Sequence, residues 1–116
     1  MRVLLIDDEQ FYFKLIRKTL KEADYALEYA QSGSEGLTKI STFDPELIIV
    51  DLKLPEMDGF EILERLRRDP KFSLIPVIVI TVKDELSEKL KAFELGADDY
   101  LVKPFQPEEL VARMGI

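Results

Sequence analysis

The stretch RVLLIDDE, residues 2–9, joins a run of apolar residues directly to three acids. Its apolar part, VLLI at 3–6, has no polar residue on either face, which is typical of a parallel strand buried on both sides. The runs LIIV at 47–50 and VIVI at 77–80 have the same character. We therefore expect the acids to lie where a buried strand reaches the edge of its sheet.

Two weaker strands complete the pattern, YALEYA at 25–30 and DDYLV at 98–102. The first alternates and indicates a strand with one wetter face. A helical pattern follows each of the five strands. Strand then helix, five times in 116 residues, predicts an α/β fold with a doubly wound, five-stranded parallel sheet, because right-handed crossovers place helices on both faces.

The first three helical patterns have recognisable faces or beginnings. Ser32 with Glu35 predicts a capping box at the second helix, and Asp58 with Glu61 predicts a similar cap at the third. The packed face of the first helix is predicted to contain Tyr12, Leu15, Ile16, Thr19, Leu20 and Ala23.

The last two helices are also delimited in the sequence. Leu86, Leu90 and Phe93 form a stripe along the fourth helix, and Gly96 stands where a left-handed C-terminal residue is expected. Pro107 begins the fifth helix. Ten residues remain from Pro107 to the end, so this helix is predicted to be short, with fewer than three turns.

Composition excludes several classes of function. The chain has no cysteine and no histidine, which excludes disulfides, thiolate catalysis and histidine-based triads. A net charge of -7 argues against direct nucleic-acid binding, which needs a basic face. The apolar runs are too short for a membrane span or a signal peptide, so we expect a soluble cytoplasmic domain.

Polar residues follow four of the strands at their carboxyl ends. Asp7 and Asp8 follow the first strand, Asp51 the third, Thr81 the fourth and Lys103 the fifth. In open parallel sheets, ligands bind outside the carboxyl ends of the strands. The sequence thus predicts three carboxylates, a hydroxyl and an ammonium at one edge.

The charges in this group indicate a chemistry. Three clustered carboxylates exceed the charge of one lysine, so a cation is expected to complete the balance. An all-oxygen set with few carboxylates suits Mg²⁺. An aspartate beside Mg²⁺ and lysine is also a plausible nucleophile toward a phosphoryl group, since both cations stabilise the developing charge.

Four motifs resemble the receiver domain of two-component response regulators. They are LLIDDE at 4–9, IIVDLKLPEMDGFEIL at 48–63, VIVIT at 77–81 and GADDYLVKPF at 96–105. The resemblance covers essentially the whole chain. The resemblance implies a flavodoxin-like fold with strand order 2-1-3-4-5. It implies a signalling phosphoacceptor, not an enzyme, which catalyses only its own phosphotransfer and slow autodephosphorylation.

The resemblance also implies the site. Asp51 would accept a phosphoryl group from a phosphohistidine on a sensor histidine kinase or a histidine phosphotransfer protein. Mg²⁺ or Mn²⁺ would be bound directly by Asp8, through water by Asp7, by Asp51 and by the backbone carbonyl of Lys53. Lys103 would pair with the phosphoryl oxygens.

By the same resemblance, Thr81 and Tyr100 match the switch pair. The threonine hydroxyl would donate to the phosphoryl group, and its movement would leave space for Tyr100 to turn inward. The fourth helix, fifth strand and fifth helix would form the output surface and a dimer contact. The bond between Lys103 and Pro104 is typically cis in the family.

Several residues beside the matched motifs carry separate hypotheses. Val82 is bulkier than the usual residue after the switch threonine and is expected to crowd the phosphoryl pocket. Lys53 and Lys83 occupy positions that influence phosphoryl lifetime in the family. The alternative for both is a solvated lysine. Phe11 and Phe13 are interpreted either as partly buried residues or as a docking patch for the kinase.

Two other functions compete with the signalling switch. The chain could be a metal-dependent phosphohydrolase using Asp51 covalently, although it has no obvious second carboxylate for turnover. It could also be a binding module that no longer uses phosphate. Nucleotide or flavin binding is disfavoured by the acidic loop after the first strand. We expect residues 1–116 to form one domain, either excised from a longer regulator whose effector domain is absent or a stand-alone protein.

Overall fold

Strands and helices alternate along the described chain, as the sequence predicts. The structure is a computed structural model and describes residues 1–21, 24–82 and 84–115. The strands are β1 (Arg2–Ile6), β2 (Ala26–Ala30), β3 (Leu47–Asp51), β4 (Val77–Thr81) and β5 (Asp99–Val102). The helices are α1 (Gln10–Leu20), α2 (Gly33–Phe43), α3 (Gly59–Arg68), α4 (Leu86–Glu94) and α5 (Pro107–Arg113).

The sheet is parallel, with strand order β2-β1-β3-β4-β5. This confirms the doubly wound fold and the 2-1-3-4-5 order. Register aligns the carboxyl ends of the strands: Asp51 lies opposite Ile80, and Thr81 lies opposite Val102. The residue after each strand therefore reaches the same edge.

Two apolar clusters cover the two faces of the sheet. Residues of α1 and α5 pack on one face, and residues of α2, α3 and α4 pack on the other. The central strands β3 and β4 are buried at every position, which explains their uninterrupted apolar runs. None of the helices in the described ranges combines the length and apolarity that crossing a membrane requires.

The predicted helix ends are largely confirmed. The Ser32 side chain accepts a hydrogen bond from the Glu35 amide at 3.2 Å, and Asp58 accepts one from the Glu61 amide at 3.0 Å. The Glu35 carboxylate, however, accepts from the amide of Gln31, so the second half of the box involves that residue. Gly96 has φ of 106°, as expected for a residue that ends a helix in the left-handed region.

The α1 face is confirmed over the described residues. Tyr12, Ile16 and Leu20 are buried. The sixth predicted position, Ala23, lies outside the described residues. Pro107 begins α5, which has only seven residues and is short as predicted.

The α4 stripe faces outward instead of packing on the sheet. Leu86, Leu90 and Phe93 are 70%, 53% and 46% exposed, and Ala92 is the buried residue of this helix. At 3.6 residues per turn, the three apolar residues lie about 100–160° around the helix from Ala92. Spacing alone showed a stripe but not which side the sheet would cover.

A close approach at Gly59 fixes the loop between β3 and α3. The Gly59 amide donates to the Leu52 carbonyl at 3.0 Å. A β-carbon at this position would stand 2.6 Å from the Asp51 carbonyl oxygen and 2.9 Å from Leu52 Cα. Because both are backbone atoms, they have little room to move. The absence of a side chain here lets α3 begin directly behind Asp51.

Gly59→Ala is expected to destabilise the domain by about 1–3 kcal/mol, the usual cost of overpacking, despite the better helix propensity of alanine. The urea midpoint, followed by circular dichroism, measures this. Arg68→Ala changes a side chain of the same helix that is 80% exposed, and it should shift stability by less than about 0.5 kcal/mol. Equal midpoints for Gly59→Ala and the parent would contradict the close approach.

Candidate functional site

Three aspartates meet at the carboxyl ends of the neighbouring strands β1 and β3. Asp7, Asp8 and Asp51 each offer a carboxylate oxygen, and these oxygens lie within 4.8 Å of one another. Asp7 is fully buried and Asp51 is 3% exposed, whereas Asp8 is exposed. The group therefore has a buried interior and one side open to solvent.

Lys103 brings a buried ammonium into this group from the far side of β4. Its Nζ lies 2.8 Å from Asp51 Oδ2, 2.8 Å from Asp7 Oδ2 and 3.5 Å from Glu9 Oε2. The Lys103 amide donates to the Thr81 carbonyl at 2.8 Å, which holds the residue at the end of β5. The next peptide bond, between Lys103 and Pro104, is cis, as the resemblance implied.

Backbone amides orient two of the carboxylates. Asp51 Oδ1 accepts from the Lys53 amide at 3.1 Å, and Asp7 Oδ1 accepts from the Glu9 amide at 2.8 Å. Asp51 Oδ2 takes a directed hydrogen bond from Lys103. Asp7 Oδ2 is close to the same ammonium but receives no directed hydrogen bond from the described residues. A buried carboxylate oxygen is thus left under-coordinated at the centre of the group.

Burial and the Lys103 ammonium shift the pKa values of the two buried aspartates in opposite directions. Burial raises the pKa of Asp7 to about 6, although its contact with Lys103 opposes the shift. Burial likewise raises the pKa of Asp51 against the same ammonium. Burial alone would lower the pKa of Lys103, but its close contacts with the Asp51 and Asp7 carboxylates outweigh burial and raise it.

The group fits a hard divalent cation. It combines three carboxylates with an under-coordinated buried oxygen, and one ammonium cannot balance their charge. Oxygen donors of this kind suit Mg²⁺ or Mn²⁺. The open side at Asp8 leaves room for water, which Mg²⁺ usually retains.

Comparison with known proteins identifies the family. The family model for the response regulator receiver domain matches residues 3–115. The chain belongs to this family. Among curated relatives, it is 43% identical to the transcriptional activator protein IrlR of Burkholderia pseudomallei, over 98% of this chain and 48% of IrlR. It is 41% identical to the DNA-binding dual master transcriptional regulator RpaA of Synechocystis, over 97% of this chain and 47% of RpaA.

Solved receiver-like structures have the same fold. The chemotaxis response regulator CheY4 of Vibrio cholerae superposes with a TM-score of 0.91 at 32% identity, covering 98% of this chain and 95% of CheY4. The Mn²⁺-bound form of response regulator Rcp1 superposes with a TM-score of 0.85 at 27% identity, covering 99% and 90%. The receiver domain is thus a two-component signalling domain of flavodoxin-like fold, not a conventional enzyme. It spans about half the length of IrlR and RpaA.

The two residues matched to the receiver switch lie on one face of the sheet. Tyr100 pairs with Val79, and Thr81 follows Val79 by two residues on the same strand. Thr81 is fully buried and Tyr100 is 8% exposed. The Tyr100 ring lies beneath α4, with its centroid 6.4 Å from that of Phe93. Tyr100 is therefore buried beneath α4 in this structure.

The remaining predicted residues that the structure describes differ in their exposure. Val82 is 53% exposed, and Lys53 is exposed beside an open cleft of about 600 Å³ that also borders α4. Phe11 is 67% exposed, whereas Phe13 is half-buried and stacks on Tyr29 with centroids 4.3 Å apart. Lys83 lies outside the described residues.

Sequence reasoning missed two residues that contact the ammonium. Glu9 forms the 3.5 Å ion pair, and the Tyr12 ring centroid lies 4.1 Å from Lys103 Nζ. Glu9 was recognisable as the third acid of the DDE run. Tyr12 stands in the first turn of α1, next to the site edge, but its place in an apolar stripe indicated only packing.

Asp7→Asn is expected to stabilise the metal-free receiver domain at pH 7 by on the order of 1–3 kcal/mol. The folded pKa of Asp7, about 6, lies above the ordinary 3.8, so the folded state binds the extra proton between these values. The parent therefore loses stability as pH rises through this window, whereas the asparagine variant does not. Urea unfolding in EDTA at pH 4 and pH 7 measures the difference.

A suitable control is Asp8→Asn, whose exposed carboxylate is solvated by water and should give a smaller gain. A stability gain for Asp7→Asn that is the same at both pH values would show that burying the charge of this carboxylate does not cost stability.

Proposed function

We propose that this receiver domain accepts a phosphoryl group on Asp51 from a phosphohistidine of a sensor histidine kinase or a histidine phosphotransfer protein. The observation that carries the proposal is the setting of the Asp51 carboxylate. It is 3% exposed, bonded to Lys103 Nζ at 2.8 Å, and grouped with two further aspartates. An acid in this setting is matched to a reaction that brings in negative charge together with a cation.

The residues divide the chemistry among them. An Asp51 oxygen attacks phosphorus, and the bond from phosphorus to the donor's imidazole nitrogen breaks, so that the electron pair leaves with the imidazole. The Lys103 ammonium exchanges its bond to Asp51 Oδ2 for a bond to a phosphoryl oxygen. The hydrogen bond from the Lys53 amide to Asp51 Oδ1 holds the carboxylate plane during attack.

Asp8, Asp7, Asp51 and the backbone carbonyl of Lys53 would hold Mg²⁺ or Mn²⁺. When bound, the ion would neutralise charge on the phosphoryl oxygens and relieve the repulsion among the carboxylates. The similarity to the Mn²⁺-bound form of Rcp1 supports this assignment. So does the under-coordinated Asp7 Oδ2.

Asp51→Asn tests the phosphoacceptor directly. With acetyl phosphate and Mg²⁺, intact mass should rise by one phosphoryl group in the parent and remain unchanged in Asp51→Asn, because an amide is a poor nucleophile toward phosphorus. Omitting Mg²⁺ should abolish labelling of the parent. Asp44→Asn, at an exposed position after α2, should be labelled like the parent.

The same experiment separates the competing functions. A single stoichiometric label supports the switch, whereas continuous release of phosphate from many substrates would support a phosphohydrolase. Full labelling of Asp51→Asn would reject Asp51 as acceptor. No labelling of the parent under any of these conditions would favour a module that binds partners without phosphate.

We propose that phosphorylation is transmitted through Thr81 and Tyr100 to α4, β5 and α5. Thr81 lies at the end of β4, and Tyr100 contacts both Phe93 and Lys89 of α4. Because Tyr100 is buried here, the switch would act by shifting the population between this buried position and a more exposed one. The exposed apolar stripe of Leu86, Leu90 and Phe93 supports α4 as an output or dimer surface.

The partners are proposed from the surface and from the relatives. Phe11, at 67% exposure and beside the site, is better placed than Phe13 to contact a phosphodonor. The chain covers about half of IrlR and RpaA, whose names describe transcriptional regulators. We therefore propose that an effector domain carries the output, and that this acidic domain does not itself bind nucleic acid.

Lys53 is proposed to prolong the phosphoryl lifetime, together with Lys83. Its exposed ammonium, two residues from the acceptor, would attract the negative phosphoryl group and so slow its transfer to water. Lys53→Asn should speed decay of phosphorylated Asp51 by about 2- to 10-fold, equivalent to up to about 1.4 kcal/mol. Loss of the label after removal of acetyl phosphate gives the rate, and Lys71→Asn, an exposed lysine before β4, is the control. An unchanged rate for Lys53→Asn would identify it as a solvated lysine.

A further inference from the structure

The Lys103 ammonium has an aromatic neighbour as well as carboxylates. Its Nζ lies 4.1 Å from the centroid of the Tyr12 ring, well within cation–π distance. The Lys103 side chain is 1% exposed and Tyr12 is 8% exposed. The contact is therefore largely shielded from water, where attraction between a cation and a ring is strongest.

The ring is itself held in place by its neighbours. Tyr12 packs against Phe105 with centroids 5.6 Å apart, and Phe11 meets it edge-on at 5.1 Å. Phe105 follows Lys103 by two residues, whereas Tyr12 lies in α1, so the ring joins the helix after β1 to the loop after β5. This packing fixes the position of the Tyr12 ring on one side of the ammonium.

The other neighbours of the ammonium change during the proposed reaction. Asp51 gains the phosphoryl group, and Asp7 belongs to the proposed metal set. Glu9 is half-exposed and 3.5 Å away, so it is a weaker and more mobile partner. Among these contacts, the Tyr12 ring is the one whose charge and position stay the same before and after transfer.

We propose that Tyr12 is a positioning residue whose ring face holds the Lys103 ammonium toward Asp51 while the carboxylates around it change partners. This rests on the phosphoacceptor function proposed above. A displacement of a reacting group by about 1 Å can slow a reaction by about two orders of magnitude. A ring that fixes the position of Nζ therefore affects the rate of phosphorylation directly. The tyrosine hydroxyl has no role in this arrangement.

Ring electron density is the property to vary. We would replace Tyr12 by phenylalanine and then by 4-fluoro-, 3,5-difluoro- and 3,4,5-trifluorophenylalanine, which keep the shape of the ring while weakening its attraction for a cation. Tyr12→Phe should be phosphorylated like the parent. The rate constant for labelling by acetyl phosphate at saturating Mg²⁺ should then fall in order, by about three- to tenfold over the series. Tyr12→Leu should fall at least as far.

A second measurement reports on the ammonium without any phosphorylation. Exchange of the Lys103 ammonium protons with water, followed by NMR on ¹⁵N-lysine-labelled protein, should accelerate along the same series. Thermal unfolding midpoints should fall modestly from phenylalanine to trifluorophenylalanine, because the ammonium loses attraction to the ring but keeps its bond to Asp51. The same residues placed at Phe72, in the loop before β4, should produce no trend in either measurement.

Each result separates the two proposals. Rates and exchange that are flat across the series would overturn the role of Tyr12 and leave the phosphoacceptor intact. If exchange accelerates across the series but the parent is not labelled on Asp51, the contact is supported and the phosphoacceptor is rejected. A drop at Tyr12→Phe as large as that at Tyr12→Leu would assign the effect to the hydroxyl and overturn the proposal.

Discussion

One buried ammonium shared by two buried carboxylates is the constraint on which the site depends. Lys103 Nζ lies 2.8 Å from both Asp7 and Asp51. Each charged group would be costly to bury alone, and the ammonium makes burial of the two acids tolerable. It does not neutralise them, because Asp8 and Glu9 add further negative charge nearby. The site therefore keeps an excess of negative charge that a bound cation would neutralise.

The sheet is what makes this cluster possible. Asp7 and Lys103 are 96 positions apart in the chain, yet parallel pairing in the order β1-β3-β4-β5 brings the ends of their strands to one edge. Close packing behind that edge, as at Gly59, holds Asp51 where the Lys53 amide and the Lys103 ammonium both reach it. The two apolar clusters supply the stability that offsets the buried charge.

The structure also connects this site to an outer surface. Tyr100 lies beneath α4, and on the outside of α4 three large apolar side chains face solvent. On the opposite face of the sheet, Tyr12 and Phe105 connect α1 and the loop after β5 to the same ammonium. Aromatic residues thus lie near the site on both faces of the sheet: Tyr100 on the face of Thr81, and Tyr12 beside the ammonium.

Local patterns in the chain are enough to predict the strands, the parallel fold and the residues at the strand ends. Continuous apolar runs specify strands buried on both faces, and the polar residue that ends each run must lie at the edge, so Asp7, Asp8, Asp51, Thr81 and Lys103 were predictable. Local signals also predicted the caps at Ser32 and Asp58 and the left-handed Gly96.

Long-range packing determines which side of an amphipathic pattern is covered and which side chains meet. The α4 stripe has helical spacing whether it faces the sheet or solvent, and the sheet happens to cover Ala92. Tyr12 has the helix spacing of a core residue, and that spacing carries no information about a lysine 91 positions away. Burial depends on the whole fold, so the burial of Tyr100 and the raised pKa of Asp7 follow from packing that no local stretch encodes.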